Sequence, residues 1–373
     1  MSRAGAGDVG EAHDDASRAR RFDAPGTRVR RGARLALLAI IALVLGVLSL
    51  GWSSVAIPPP DVVAALVGPA DAVDASVRTI VRDIRLPRTL TAALVGAALG
   101  IAGLLMQTVF RNALASPFTL GVSSGASLGV ALVVLTAPLP DYADAPSFVM
   151  LVDQLGHLGT VVGAALGAFG VLAVMLTLAA RVRDVTIVLL LGVVMSSLVG
   201  ALVTVLVFFA DARRTRAFVE WGLGSFTQVH WGTLPTFALA VLVGVVGAGA
   251  LVKPLNALLL GEAHAESLGV RVRASRLGAL AAASVLAGAV VAFAGPIGFL
   301  GIAVPHLARG LLRTADHRLL VPGSVAVGAV LALACGLLAE LPGSSLNLPV
   351  NAAAALFGAP VAIVVLLRMR HAS

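Results

Sequence analysis

Apolar residues in this chain recur in long runs, each bounded by arginine, proline or a short polar break. A helix rises about 1.5 Å per residue, so about 20 apolar residues cross the hydrocarbon of a bilayer. A window of that length predicts ten spans, at roughly 35–57, 89–108, 118–136, 157–180, 185–210, 233–252, 276–295, 297–312, 321–340 and 350–367. Pro305, His306 and Arg309 interrupt the eighth. The pattern is that of an all-α polytopic membrane protein with about ten transmembrane helices.

Composition supports this and removes other classes. The 373 residues are 58% hydrophobic and 12% charged, against about 45–50% and about 25% in soluble domains. So much apolar surface needs the lipid bilayer as its partner. A net charge of +8 first evokes nucleic acid, but the basic residues punctuate apolar spans instead of sharing one soluble face, so no nucleic acid is expected. The single cysteine, Cys335, excludes an internal disulfide or a cysteine-cluster metal site. No histidines stand at the i, i+4 spacing of a helical zinc site.

Residues 1–34 carry eight arginines and five acids with no apolar run, and are expected to form a disordered, basic cytoplasmic tail ahead of a transmembrane domain over 35–370. The first span is too long for a signal-peptide core and lacks a convincing cleavage site, so it is expected to remain. With the amino terminus inside, inner segments hold 20 basic residues and outer segments seven, which satisfies the positive-inside rule and puts both termini in the cytoplasm. The loop Pro138–Gly156, with Asp141, Asp144 and Asp153 and no basic residue, agrees with an outer position. Ten spans divide into two oppositely oriented halves, though the only trace of a repeat is Arg85 and Arg276, each ahead of a glycine-spaced helix. Gly96 with Gly100, and Gly163 with Gly167, have the spacing that lets membrane helices approach closely.

Two polar segments stand out. Arg85 and Arg88 open the second span, and Arg111-Asn112-Ala113-Leu114-Ala115-Ser116-Pro117 breaks the chain before the third; polar breaks survive in a membrane only where protein or an aqueous cavity surrounds them. The second is Lys253–Arg276, KPLNALLLGEAHAESLGVRVRASR. It is predicted to form two short helices on the inner surface, either a docking face for a soluble partner or an interfacial connector.

These segments carry a resemblance. Arg85-Leu86-Pro87-Arg88 continues to Gln107 and Asn112-Ala113-Leu114-Ala115, and Leu260-Gly261-Glu262 continues to Leu268-Gly269-Val270. Gly295-Pro296-Ile297-Gly298-Phe299-Leu300-Gly301 leads to Pro305-His306-Leu307-Ala308-Arg309, followed by Asp316-His317-Arg318, Leu348-Pro349-Val350 and Gly358-Ala359-Pro360. In this order, from about residue 35 to 370, the chain resembles the FecCD permeases, membrane subunits of type II ABC importers for ferric siderophores, haem and vitamin B12. The resemblance implies a homodimer or heterodimer with a second permease subunit, a substrate path between the two, an extracytoplasmic substrate-binding protein and a cytoplasmic ABC ATPase subunit. It implies no cofactor. The coupling element received by the ATPase would be the 253–276 loop, through Leu260, Gly261, Glu262, Ala263, His264, Glu266, Leu268 and Gly269. Independently, the only lysine, Lys253, precedes Pro254, so the chain has no phosphate-binding Gly-rich loop with Lys-Ser/Thr. Energy must come from a partner or a gradient, and the chain is expected to be a transport subunit, not an enzyme.

The resemblance further implies that Arg85 and Arg88 meet glutamates of the binding protein; interfacial anchoring by snorkelling is the alternative. The family often has an aspartate and an arginine in the ninth span, where this chain has Cys335 and Glu340. Glu340 at a docking position would repel a partner's glutamate, leaving Arg213, Arg214 and Arg216 as replacement docking residues. Asn351 stands where a glycine is usual. Ser196, Ser197 and Thr204 are expected to line the pathway, or else to bond their own helix backbone. Gln107 and Asn112 are expected to be structural, and His306 to hydrogen-bond within the bundle and not to hold a metal. The predicted cargo is a ferric siderophore or related iron chelate, with haem or vitamin B12 as the alternative. An ion-coupled transporter is the weaker rival, since the spans hold almost no acid. A membrane enzyme lacks any converging set of catalytic groups.

Overall fold

The computed structural model describes residues 25–53, 55–69, 71–135, 157–182, 184–340 and 348–370. Helix α1, Pro25–Gly51, is followed by α2, Pro59–Val67, and by α3, Ala75–Val109. A 3-10 turn at Pro117–Leu120 precedes α4, Val122–Val134. Then come α5 (His157–Arg181), α6 (Val185–Phe209), α7 (Ala212–Gly222), α8 (Leu234–Ala250), α9 (Val252–Leu259) and α10 (Glu262–Ser267). The chain closes with α11 (Val272–Ala294), α12 (Leu300–Leu312), α13 (His317–Ala339) and α14 (Val350–Arg370).

Helices α1, α3, α5, α6, α11 and α13 are each long and apolar enough to cross a membrane; α8 and α9 pass that test together across a 50° bend. Shorter apolar helices at Val122–Val134, Leu300–Leu312 and Val350–Val365 fall in the remaining predicted runs. Each of the ten predicted runs thus contains a helix, though α4 and α12, of 13 residues each, and α8 without α9, do not reach spanning length as single helices. The run at 297–312 is shortened because Gly295–Phe299 is not helical. Phe299 there adopts a φ of 62°, and the Asn351 side chain accepts a hydrogen bond from the Gly298 N–H at 3.0 Å.

Two boundaries depart from the sequence expectation. Residues 25–34, assigned to the disordered tail, are the first turns of α1, where Arg34 donates to the Leu311 carbonyl at 2.8 Å. The second span, predicted from residue 89, begins at Ala75. Its extra turns bury Val81 with Leu50, Ile57, Val62 and Ala65 in a small core separate from the main one. Within this extension Ile80–Arg85 is a π-helical turn. A π turn lies just where Pro87 would otherwise break an α-helix, since proline has no N–H and its ring crowds the carbonyl four residues back. The acidic loop 138–156 and residues 1–24 of the tail lie outside the described residues.

Helix α3 is the axis of the bundle, with 83% of its spanning window buried against 17% for α6 and 6% for α1. Small residues let its neighbours close on it. A Cβ on Gly96 would sit 1.9 Å from the Gly328 carbonyl oxygen of α13, and one on Gly103 would sit 1.7 Å from that of Gly301 in α12. The Gly163/Gly167 spacing works in the same way, with Gly163 against Gly129 and Gly167 against Gly125 of α4. Without a hydrophobic drive between helices in lipid, such close packing supplies much of the association. Gly96→Ala should lower stability by about 1–3 kcal/mol through overpacking. Gly200→Ala, whose Cβ meets nothing within 4 Å, should be neutral or stabilising by about 0.5–1 kcal/mol. Thermal unfolding of the two variants in detergent compares them.

Candidate functional site

Helices α3 and α13 run antiparallel, and a polar cluster ties them together at each end. At the end where α13 finishes, Arg88 of α3 pairs with Glu340 at 2.6 Å, with side-chain exposures of 15% and 8%. One turn earlier Arg85 is only 5% exposed. It donates from Nη1 to the Leu50 carbonyl at 2.7 Å and from Nη2 to that of Val55, gripping the end of α1 and the segment after it. Nearby, Trp231 donates from Nε1 to the Arg82 carbonyl at 2.9 Å.

Three expected docking residues are therefore internal. Arg85 is a clamp on backbone carbonyls. Arg88 and Glu340 neutralise one another, so Glu340 presents no free charge to repel an acidic partner. Arg214 is also engaged, with Asp211 at 3.1 Å and the Leu135 carbonyl at 3.3 Å. Arg213 and Arg216 remain exposed, Arg216 within an exposed ion pair to Glu220 at 2.8 Å. They lie on α7, a helix that the sequence reading left within a loop. Asp211 caps it by accepting from the Arg214 N–H at 3.0 Å, and Trp221 buries its other face, stacked 6.0 Å from Phe218.

At the opposite end, where α13 starts, the segment 252–271 forms two short helices, as its sequence predicted. Gly261, at φ 108°, and Gly269, at φ 78°, make the sharp turns at either end of α10, in a region of backbone space that glycine enters without a Cβ penalty. Helix α9 is anchored: Leu255 and Leu258 are buried, and Arg111 reaches the Leu258 carbonyl at 3.3 Å. Its Asn256 donates from Nδ2 to Asp316 Oδ1 at 2.6 Å. Asn256 Oδ1 accepts from the His317 backbone N–H at 2.9 Å and meets His317 Nδ1 at 2.8 Å. An amide oxygen only accepts, so Nδ1 carries the proton. His317 Nε2 then faces the Thr108 hydroxyl of α3 at 2.9 Å.

Helix α10 is held more loosely. Ala265 is its one buried residue, and Arg276 pairs with Glu262. Beside it opens a cavity of about 640 Å³, bounded by Phe110, Arg181, Glu262, Glu266, Arg273 and Arg276 among others. Leu259, Leu260 and Leu268 stand 49%, 67% and 60% exposed, next to exposed Ala263, His264 and Glu266. This is an apolar patch ringed by polar groups, the surface chemistry of a protein contact.

The remaining polar residues at this end serve the fold. Gln107 donates to the Ile302 carbonyl at 3.2 Å and accepts from Arg309 at 2.6 Å. Asn112 Oδ1 accepts from the Leu114 N–H at 2.9 Å. His306 gives its Nε2 proton to the Ala113 carbonyl at 2.8 Å, as expected of a histidine satisfied within the bundle. On α6, Ser196, Ser197 and Thr204 each donate to a carbonyl four residues back, at 2.8, 3.1 and 2.9 Å. Ser197 and Thr204 nevertheless share an exposed face, while Ser196 is half-buried.

The family model for the FecCD transport family matches residues 40–368. The chain belongs to the FecCD transport family. The permease is 38% identical over 291 residues to the hemin transport system permease protein HmuU of Yersinia pestis, covering 78% of this chain and 83% of that one. With the vitamin B12 import system permease protein BtuC of Klebsiella pneumoniae it shares 36% identity over 304 residues, or 81% of this chain and 86% of the relative. A solved structure described as an inward-facing conformation of a metal-chelate type ABC transporter matches with a TM-score of 0.74 and 28% identity. That match covers 90% of this chain and 99% of the other. The protein is thus a multi-pass FecCD-type permease of the type II ABC importers, with the fold of that class.

Within this permease, the Arg88–Glu340 pair was the feature least accessible to sequence reasoning, because its partners stand 252 positions apart. Removing one member of a buried pair strands the other charge, at a cost of about 3–5 kcal/mol. Arg88→Ala and Glu340→Ala should each lower the melting temperature in detergent markedly, and the double variant should recover part of the loss. A double-mutant cycle on thermal unfolding measures this.

Proposed function

We propose that this permease translocates a ferric siderophore or related iron chelate across the cytoplasmic membrane, by alternating access driven by a separate ATPase. The basic end of the bundle, with Arg111, Arg181 and the 253–276 segment, faces the cytoplasm in this reading, along with both termini. The observation that carries the division of labour is the exposed apolar patch of Leu259, Leu260 and Leu268 on a pair of short helices. A soluble ATPase would cover it, with Gly261, Glu262, Ala263, His264, Glu266 and Gly269 around it. The bulky metal complexes named for the relatives, hemin and vitamin B12, and the metal-chelate transporter of similar fold support a chelate as cargo. Haem is the second reading, favoured by the 38% identity to the hemin permease.

A second permease subunit would cover the exposed face of α6. Ser197, Gly200, Ala201 and Thr204 there present small or hydroxyl-bearing side chains without charge, a surface suited to a large, weakly charged cargo passing between two subunits. At the other end, a substrate-binding protein would meet Arg213 and Arg216 of α7, the outer cations left exposed by the engagement of Arg85, Arg88 and Arg214. Exposed charges of this kind set encounter rate and register more than affinity.

Two tests follow. Proteoliposomes containing the permease, its ATPase and its binding protein should accumulate ferric siderophore only with ATP. Uptake without the ATPase, or its collapse by a protonophore at constant ATP, would overturn the reading; faster uptake of haem would move the cargo to the second reading. For the docking surface, the double variant Arg213→Glu with Arg216→Glu should slow binding-protein association by about tenfold at low salt, with the difference shrinking as salt screens it. Surface plasmon resonance against permease in nanodiscs reads this directly. For the cytoplasmic patch, Leu268→Asp should release the ATPase during co-purification.

A further inference from the structure

The two short helices of the 253–276 segment differ in how they are attached. Helix α10 borders the cavity of about 640 Å³, so a push on it meets open space on that side. Helix α9 has no such slack. Leu255 is fully buried and Leu258 nearly so, and the Asn256 side chain closes three hydrogen bonds onto Asp316 and His317 at the start of α13. His317, 1% exposed, passes the contact to Thr108 of α3 at 2.9 Å.

From there the connection runs through backbone. Helices α3 and α13 touch where Gly96 and Gly328 leave no room for a Cβ, and dense packing of this kind transmits displacement instead of absorbing it. At the far end the same two helices are joined by Arg88 and Glu340, and α3 grips the segment after α1 through Arg85. Hydrogen bonds, close backbone packing and an ion pair thus connect α9 to the opposite end of the bundle.

We propose that Asn256, acting through His317 and Thr108, is the positioning residue that delivers movement of the 253–276 segment to the paired helices α3 and α13. The inference rests on the reading of that segment as the ATPase contact, and the experiment separates the two. Uptake per ATP hydrolysed is measured in proteoliposomes holding the complete transporter, for Asn256→Ala, Thr108→Val, Thr108→Ser and Leu268→Asp. Thr108→Val keeps the shape of the side chain and deletes only the hydroxyl; Thr108→Ser keeps the hydroxyl.

The expected result is that Asn256→Ala and Thr108→Val assemble with the ATPase and hydrolyse ATP, while uptake per ATP falls by about tenfold, within the usual range of coupling between sites. Thr108→Ser should retain wild-type uptake per ATP, which a merely space-filling role for Thr108 would not require. Undiminished uptake per ATP in Asn256→Ala and Thr108→Val, with Leu268→Asp still releasing the ATPase, would overturn the relay and leave the contact surface standing. An ATPase that stays bound in Leu268→Asp and supports normal uptake would overturn the contact surface itself.

Discussion

Helices α3 and α13 meet backbone to backbone at Gly96 and Gly328, and most of the molecule is arranged around that contact. In lipid, a helix gains nothing from merely hiding apolar side chains from its neighbours, so association depends on close approach and on polar ties. The α3–α13 pair has both. Glycines bring the axes together along the middle, and Arg88–Glu340 and Thr108–His317 fasten the two ends. Around this pair α11 and α12 complete the buried core, whereas α1 and α6 keep most of their surface for lipid or another chain.

The two ends of the pair have different chemistry. One holds a buried arginine clamp and an internal ion pair, which among the described residues leave Arg213 and Arg216 of α7 as the fully exposed arginines of that end. The other carries a side-chain network that ends in Asn256, on the segment whose leucines are exposed. Leu259 and Leu260 of that patch lie at the end of the anchored helix α9, whereas Leu268 follows the more loosely held α10.

Much of this was legible in the chain. Run length revealed the ten apolar helices, the polar insert Lys253–Arg276 revealed two short helices, and ordered motifs revealed the family. Hydrophobic runs report local burial, and short motifs report local turns, so those inferences needed no partner information. The partners of Arg85 and Arg88 were not legible for the opposite reason. Arg85 and Arg88 look exposed beside an apolar run, yet their partners, Leu50, Val55 and Glu340, are supplied by segments 30 to 252 positions away. Glu340, expected at a docking position, is the counter-ion of Arg88. The first turns of α3 were missed because Arg78, Arg82 and Asp83 interrupt the apolar pattern there, while the helix is held by a small separate core. Asn256, a single amide among leucines, carried no signal until Asp316 and His317 were brought beside it.

The account stands on α9, α3 and α13 moving as one body. Its most direct measurement is the distance between spin labels at exposed Lys253 on α9 and exposed Ile84 on α3, by pulsed electron–electron double resonance. Both labels are placed in one subunit of the assembled transporter, in a Cys335→Ser background. The account predicts one narrow distance distribution, unchanged between the nucleotide-free and ATP-bound states, while labels at Phe208 on the α6 faces of the two permease subunits change their separation. A Lys253–Ile84 distance that shifts or broadens on ATP binding would contradict it.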